Sequence, residues 1–215
     1  LIVLNEKEKS YYTNKNKIVI PNFTDFKPNP VEIFKRQKIV IAAGRIAPVK
    51  QFDKLIATWK GISLDYPEWK LKIFGDGDSN ILKKINELIE EYNLTETAFV
   101  LPSTNNIQEE MQKASVFALT SYEECFPMVL LEAQACSLPI VSFDCPNGPR
   151  YIINNNSDGI LVEKNNIEEF RKALRLLLND EELRIRFANN AKNNVQKFSK
   201  EKVMQQWSDL VVSFK

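Results

Sequence analysis

The chain has 215 residues, 44% of them hydrophobic and 27% charged, which suits one large or two small soluble globular units and excludes a disordered polymer. A formal net charge of +1 excludes a global pull toward nucleic acid or anionic lipid, and no apolar run approaches the roughly 18 residues of a spanning helix. With no histidine, imidazole chemistry is excluded, and three cysteines (125, 136, 145) lacking metal spacing disfavour zinc and suit reduced thiols of a cytosolic protein better than a disulfide framework.

Residues 1–4 form a strand-like run too short for a signal-peptide core. Because Leu1 is not a start residue, the run reads as the end of something that begins upstream. Residues 18–20 suggest a short strand, and 22–37 are rich in Pro and Asn, the composition of a linker. The pattern then becomes regular. Residues 39–43 are an apolar run closed by Gly44, and Phe52, Leu55, Ile56 and Trp59 recur at helical spacing before a stop at Gly61. Further strands are predicted at 70–74, 98–101, 116–119, 139–142 and 159–162. Helices are predicted at 81–92, 107–113, 128–137, 167–178, 181–198 and 201–214, and Leu183, Phe187 and Ala191 mark one apolar face. No internal repeat is present. This alternation predicts an α/β fold, a doubly wound parallel sheet over residues 38–200 with helices on both faces.

In such sheets ligands lie beyond the carboxyl ends of the strands, where strand order reverses. Gly44-Arg45, Gly75-Asp76-Gly77, Pro102-Ser103-Thr104, 121–126 and 144–148 each follow a predicted strand. Arg45 precedes a Pro48 loop, and Lys50 is expected to open the next helix, an unfavourable place for a cation unless an anion such as a diphosphate is shared with the helix amides. The alternative is a solvated surface pair between Lys50 and Asp53. Pro127 favours the first turn of the following helix, directing the amides of Phe126, Met128 and Val129 at the same crevice. Glu132 lies over a turn deeper in a helix with almost no polar face. An unpaired carboxylate there is strongly disfavoured, so it needs an internal donor or a polar ligand. Glu124, at the mouth, either accepts ligand hydroxyls or is an exposed loop acid like Glu123. Neither glycine cluster has the spacing of a dinucleotide fingerprint or a P-loop, which demotes NAD and ATP. Asp76 and Asp78 suit a turn and a helix cap near Asn80, and Arg150 a surface role.

Together, Gly44-Arg45 with Lys50, Phe74-Gly75-Asp76-Gly77, Glu124-Cys-Phe-Pro-Met-Val-Leu-Leu-Glu132-Ala and Leu138-Pro139-Ile140-Val141 closely resemble the family 4 retaining glycosyltransferases over roughly residues 1–200. The resemblance implies the Rossmann-like, donor-binding C-terminal half of a GT-B architecture. Residues 1–21 then resemble the end of the N-terminal acceptor domain, 22–37 a linker, and 201–215 a helix crossing toward that domain, with Trp207 and Val211 abnormally exposed in its absence. It also implies roles. Arg45 and Lys50 hold the donor diphosphate, Glu124 contacts the transferred sugar and Glu132 holds the ribose. Gly44, Gly75, Phe126, Met128 and Val129 line the donor site, with Leu101 and Pro102 near the base.

The implied reaction is retaining transfer from a nucleotide-diphosphate sugar, UDP favoured over GDP, to a glycan or lipid-linked acceptor. It needs no cofactor or metal, and the departing phosphate takes the acceptor proton. Cys125 and Ser137 stand where the family commonly has glycine. A positive φ at Cys125 would narrow the pocket, alter donor choice or abolish activity. Residues 142–149 resemble members that build bacterial capsule, exopolysaccharide or lipopolysaccharide. The expected setting is the cytoplasm, at the inner face of the membrane for the full-length protein, with no nucleic-acid partner, and the chain alone is expected to bind donor weakly without turnover. The alternatives are a nucleotide-sugar-binding module without transfer and a Rossmann enzyme such as an epimerase, for which no Tyr-x-x-x-Lys pair sits on a sheet-associated helix.

Overall fold

A computed structural model describes residues 1–26 and 35–213. Strands β1 (Ile2–Val3) and β2 (Ile18–Val19) pair in parallel as a small separate sheet. The main sheet contains β3 (Ile39–Ala43), β4 (Lys70–Phe74), β5 (Ala98–Leu101), β6 (Val116–Leu119), β7 (Ile140–Asp144) and β8 (Gly159–Glu163). Its spatial order is β5-β4-β3-β6-β7-β8, and every pairing is parallel. The expected doubly wound α/β class is what the chain adopts. Central strands β3 and β6 are buried at every position, which is why they read as unbroken apolar runs, whereas edge strand β5 is only partly covered.

Helices α1 (Phe52–Lys60), α2 (Ser79–Glu91), α3 (Ile107–Lys113), α4 (Met128–Ala135), α5 (Ile167–Asn179), α6 (Glu181–Asn194) and α7 (Lys200–Val212) complete the fold. Because successive strand residues face opposite sides, β3 feeds two separate cores. Val40 and Ala42 pack with Leu55, Trp59 and Phe170 on one face, and Ile39, Ile41 and Ala43 with Met111, Leu130 and Leu131 on the other. Trp59 and Trp69 are 0% and 1% exposed.

Boundaries shift where local chemistry decides them. α2 begins two residues before the expected start because Asp78 caps it, its Oδ1 accepting from the amides of Asn80 at 2.8 Å and Ile81 at 3.2 Å. The expected 181–198 helix divides into α6 and a 3-10 turn, Val195–Phe198. α7 buries only Val203, and Trp207 (39%) and Val211 (58%) are exposed as expected. Its predicted end at Phe214, and residues 27–34 of the expected linker, lie outside the described residues.

α4 stops at Ala135, two residues short of expectation, and Ser137 takes left-handed backbone at φ 57°. Arg36 fixes this end of the helix. Its Nη2 donates to the Cys136 carbonyl at 2.6 Å and its Nη1 to that of Ser137 at 2.9 Å, so carbonyls left open by the helix terminus are satisfied by a cation that also suits the helix dipole. Burial lowers the Arg36 pKa to about 10, so it stays charged at neutral pH.

Candidate active site

Strand order reverses between β3 and β6, so the loops leaving their carboxyl ends diverge and open a crevice. A cleft of about 590 Å³ occupies it. The β3 loop contributes Gly44, Arg45 and Lys50, the β4 loop Gly75 and Asp76, and the β6 loop and α4 contribute Glu124, Phe126, Pro127, Met128, Val129 and Glu132. Gly75 is required by close approach: a Cβ there would lie 1.9 Å from the Gly44 carbonyl oxygen. Only a bare backbone lets the two rims meet.

Lys50 does not open a helix. It closes a 3-10 turn, Pro48–Lys50, and Gln51 then adopts left-handed backbone (φ 49°), so α1 starts at Phe52. The dipole penalty expected for Lys50 therefore does not apply. The β6 loop grips this turn instead, with Thr120 Oγ1 donating to the Lys50 carbonyl at 3.1 Å and the Tyr122 amide to that of Val49 at 2.7 Å. Nor does Lys50 meet Asp53, which pairs with Lys84 at 3.2 Å. Lys50 Nζ lies 2.6 Å from Glu124 Oε1, and Ser121 Oγ donates to the same oxygen at 2.7 Å. Glu124 is thus a half-buried member of an ion pair and not a free loop acid. Arg45 is exposed at the mouth with no ion-pair partner among the described residues.

Pro127 is the N-cap of α4, one position before the expected first turn. The shift leaves the amides of Met128 and Val129 in the first turn, where no acceptor exists within the helix, and both residues line the cleft. Behind them Phe126 meets the Phe198 ring edge-on at 5.8 Å. Glu132 reaches the cleft wall half-buried, its carboxylate making no hydrogen bond or salt bridge among the described residues. Burial raises its pKa because no donor offsets the lost hydration of the charged form.

Leu101 and Pro102 are not brought to the wall. The Leu101 carbonyl accepts from the Gly75 amide at 3.0 Å, and the chain reaches the cleft only at Ser103 and Thr104. Ala43, Phe74, Asp76, Ile107 and Pro127 also line it. Asp76 accepts from the amide (3.2 Å) and hydroxyl of Ser103, tying two rims together where a simple turn was expected. Arg150 makes the expected surface contact, a two-pronged pair with Asp144 at 3.0 and 2.5 Å. Cys125 is exposed and keeps negative φ, so the strain anticipated there falls on Ser137 instead.

Among the described residues no group of three or more Cys, Asp or Glu side chains is placed to hold a metal, and no helix is long and apolar enough to cross a membrane. The arrangement offers two cations and unpaired helix amides for an anion, with carboxylates at two depths for hydroxyl groups.

A family model described as glycosyl transferases group 1 matches residues 23–194. The chain is 34% identical over 221 residues to the amylovoran biosynthesis glycosyltransferase AmsD of Erwinia amylovora, spanning 98% of this chain and 61% of that protein. It is 29% identical over 215 residues to an uncharacterized glycosyltransferase of Haemophilus influenzae, spanning 98% and 60%. The chain thus spans about 60% of the length of these relatives. A mutant of S. aureus TarM, crystallised with fondaparinux, alpha-GlcNAc-glycerol and UDP, superposes with a TM-score of 0.89 at 28% identity, covering 97% of this chain and 43% of that one.

Proposed function

The chain belongs to the group 1 glycosyl transferases, and from that premise we propose that its cleft binds a nucleotide-diphosphate sugar, UDP in preference to GDP, as the donor half of a retaining transferase in bacterial surface polysaccharide synthesis. Glu132 carries the reading. A half-buried carboxylate without a protein partner, beside open helix amides and across from Arg45 and Lys50, has the complement of a ribose joined to a diphosphate. In this assignment Glu132 accepts the ribose hydroxyls, Arg45, Lys50 and the Met128 and Val129 amides hold the diphosphate, and Glu124 meets the sugar. The UDP found with TarM supports the choice of base.

As the sugar C1–O bond to phosphate breaks, charge grows on the diphosphate, where the two cations and the amides stabilise it. The acceptor oxygen bonds C1 on the same face and its proton passes to the departing phosphate, so neither a protein base nor a metal enters the proposed reaction. Acceptor recognition is assigned to a second domain, of which residues 1–21 are the end, with α7 (Lys200–Val212) as the helix returning toward it. The whole protein is placed in the cytoplasm, at the membrane's inner face when its acceptor is lipid-linked. Calorimetry with UDP, GDP and ADP tests the reading: UDP binds most tightly, and Glu132→Ala and Arg45→Ala each weaken it about tenfold or more, given charge-assisted bonds of ~1.5–3 kcal/mol. Undiminished UDP affinity in Glu132→Ala overturns the ribose assignment.

A further inference from the structure

The loop that carries Glu124 is held by the opposite end of the chain. Asn5 is 3% exposed, and its Nδ2 donates to the Asn147 carbonyl at 2.7 Å and the Cys125 carbonyl at 3.4 Å. Its Oδ1 accepts from the Glu8 amide at 3.1 Å while the Glu8 carboxylate accepts from the Leu4 amide at 2.8 Å, a reciprocal arrangement that fixes the Asn5 amide in one orientation. Nearby, Tyr11 donates its hydroxyl to Asn147 Oδ1 at 2.5 Å. The two carbonyls that Asn5 joins belong to loops already in contact: a Cβ on Gly148 would lie 2.7 Å from Pro127 Cδ and 2.9 Å from Glu124 Cβ. Cys125 sits between Glu124 and Phe126, both of which line the cleft. Asn5 therefore bridges the backbone of the Glu124 loop to the neighbouring rim, from 120 positions away.

We propose that Asn5 is a positioning residue for the sugar end of the cleft: by holding the Cys125 and Asn147 carbonyls together it sets where Glu124 meets the transferred sugar. The inference rests on the nucleotide-sugar reading and adds to it a residue outside the cleft wall. Arg45 and Glu132 do not depend on this bridge, so nucleotide binding and sugar binding separate in its absence.

The test compares UDP with UDP-glucose and UDP-N-acetylglucosamine by calorimetry on the full-length protein, the sugar increment being the ratio of the UDP Kd to that of the tighter-binding sugar nucleotide. Asn5→Ala is expected to leave UDP affinity within about threefold while reducing the increment about five- to tenfold. Combined with Glu124→Gln, it is expected to lower the increment no further, because both changes act through one carboxylate. Tyr11→Phe, a milder change at an exposed ring, is expected to reduce the increment about twofold and keeps the test decisive if Asn5→Ala fails to fold. An increment unchanged in both single variants, or additive loss in the double variant, overturns the inference and leaves the donor assignment standing. Failure of the unaltered protein to bind UDP at all overturns the donor assignment, and this inference with it.

Discussion

Glu124→Gln should tighten the binding of free UDP. In the unliganded cleft Lys50 is engaged by Glu124 at 2.6 Å, with side-chain exposures of 19% and 12%, and the same carboxylate oxygen is held by Ser121 at 2.7 Å. A diphosphate that recruits Lys50 must displace or share that carboxylate and lie beside its charge. The gross Coulomb attraction at such separation is about 6 kcal/mol at an effective dielectric constant of 20. Most of it is offset by desolvation and by side-chain ordering, leaving a net pair worth about 1 kcal/mol. Glutamine keeps the shape and the Ser121 contact but removes the competing charge, so UDP affinity should rise roughly fivefold at low salt. Calorimetry at low and at high ionic strength checks this, because the gain should shrink as salt screens the charges. The same variant should lose preference for UDP-sugar over UDP. An unchanged or weaker UDP affinity in Glu124→Gln would refute the competition between carboxylate and diphosphate.

Substitutions at Glu132, Ser137 and Gly75 have separate expected effects. Burial holds the Glu132 pKa above the usual carboxylate range, so the fold favours its protonated form and unliganded stability falls as pH rises through that titration. Glu132→Gln should therefore raise the thermal midpoint at pH 7, with the gain vanishing in acid, while weakening UDP about tenfold. Hydroxyl donors from a ribose favour the charged form, so UDP affinity of the unaltered protein should climb with pH across the same range, and a flat profile by calorimetry contradicts the contact. Ser137→Gly relieves left-handed backbone at φ 57° and should add about 1 kcal/mol, or roughly 2–4 °C in Tm by scanning calorimetry. Gly75→Ala places a methyl 1.9 Å from the Gly44 carbonyl and should abolish UDP binding even where circular dichroism shows the sheet intact.

The fold was legible because a parallel sheet covered on both faces makes its central strands uninterrupted apolar runs, and β3 and β6 are of that kind. Glu132 was legible for a related reason, being the lone charge in a helix that otherwise has almost no polar face. The Lys50 turn was not, since Gln51 takes left-handed backbone without the glycine that usually announces it. Contacts across the topology were hidden as well. The Lys50 and Glu124 pair joins residues 74 positions apart, and only the strand reversal brings them together. Arg36 sits in a segment whose Pro- and Asn-rich composition suggested only a linker, yet its guanidinium closes the helix that carries Glu132. Leu101 and Pro102 stand at a strand's carboxyl end as Ser103 and Thr104 do, yet only the latter two line the cleft, while Leu101 packs against the core beneath it.

The three tryptophans report on different parts of the molecule. Trp59 and Trp69 are sealed in the sheet's core, while Trp207 stands 39% exposed on a helix that buries only Val203. Intrinsic fluorescence is thus a composite of two shielded emitters and one wet one. A water-soluble quencher such as acrylamide should act first on Trp207, so the quenchable fraction of the emission follows the carboxyl-terminal helix while the blue-shifted remainder follows global unfolding, two optical channels from one unlabelled chain.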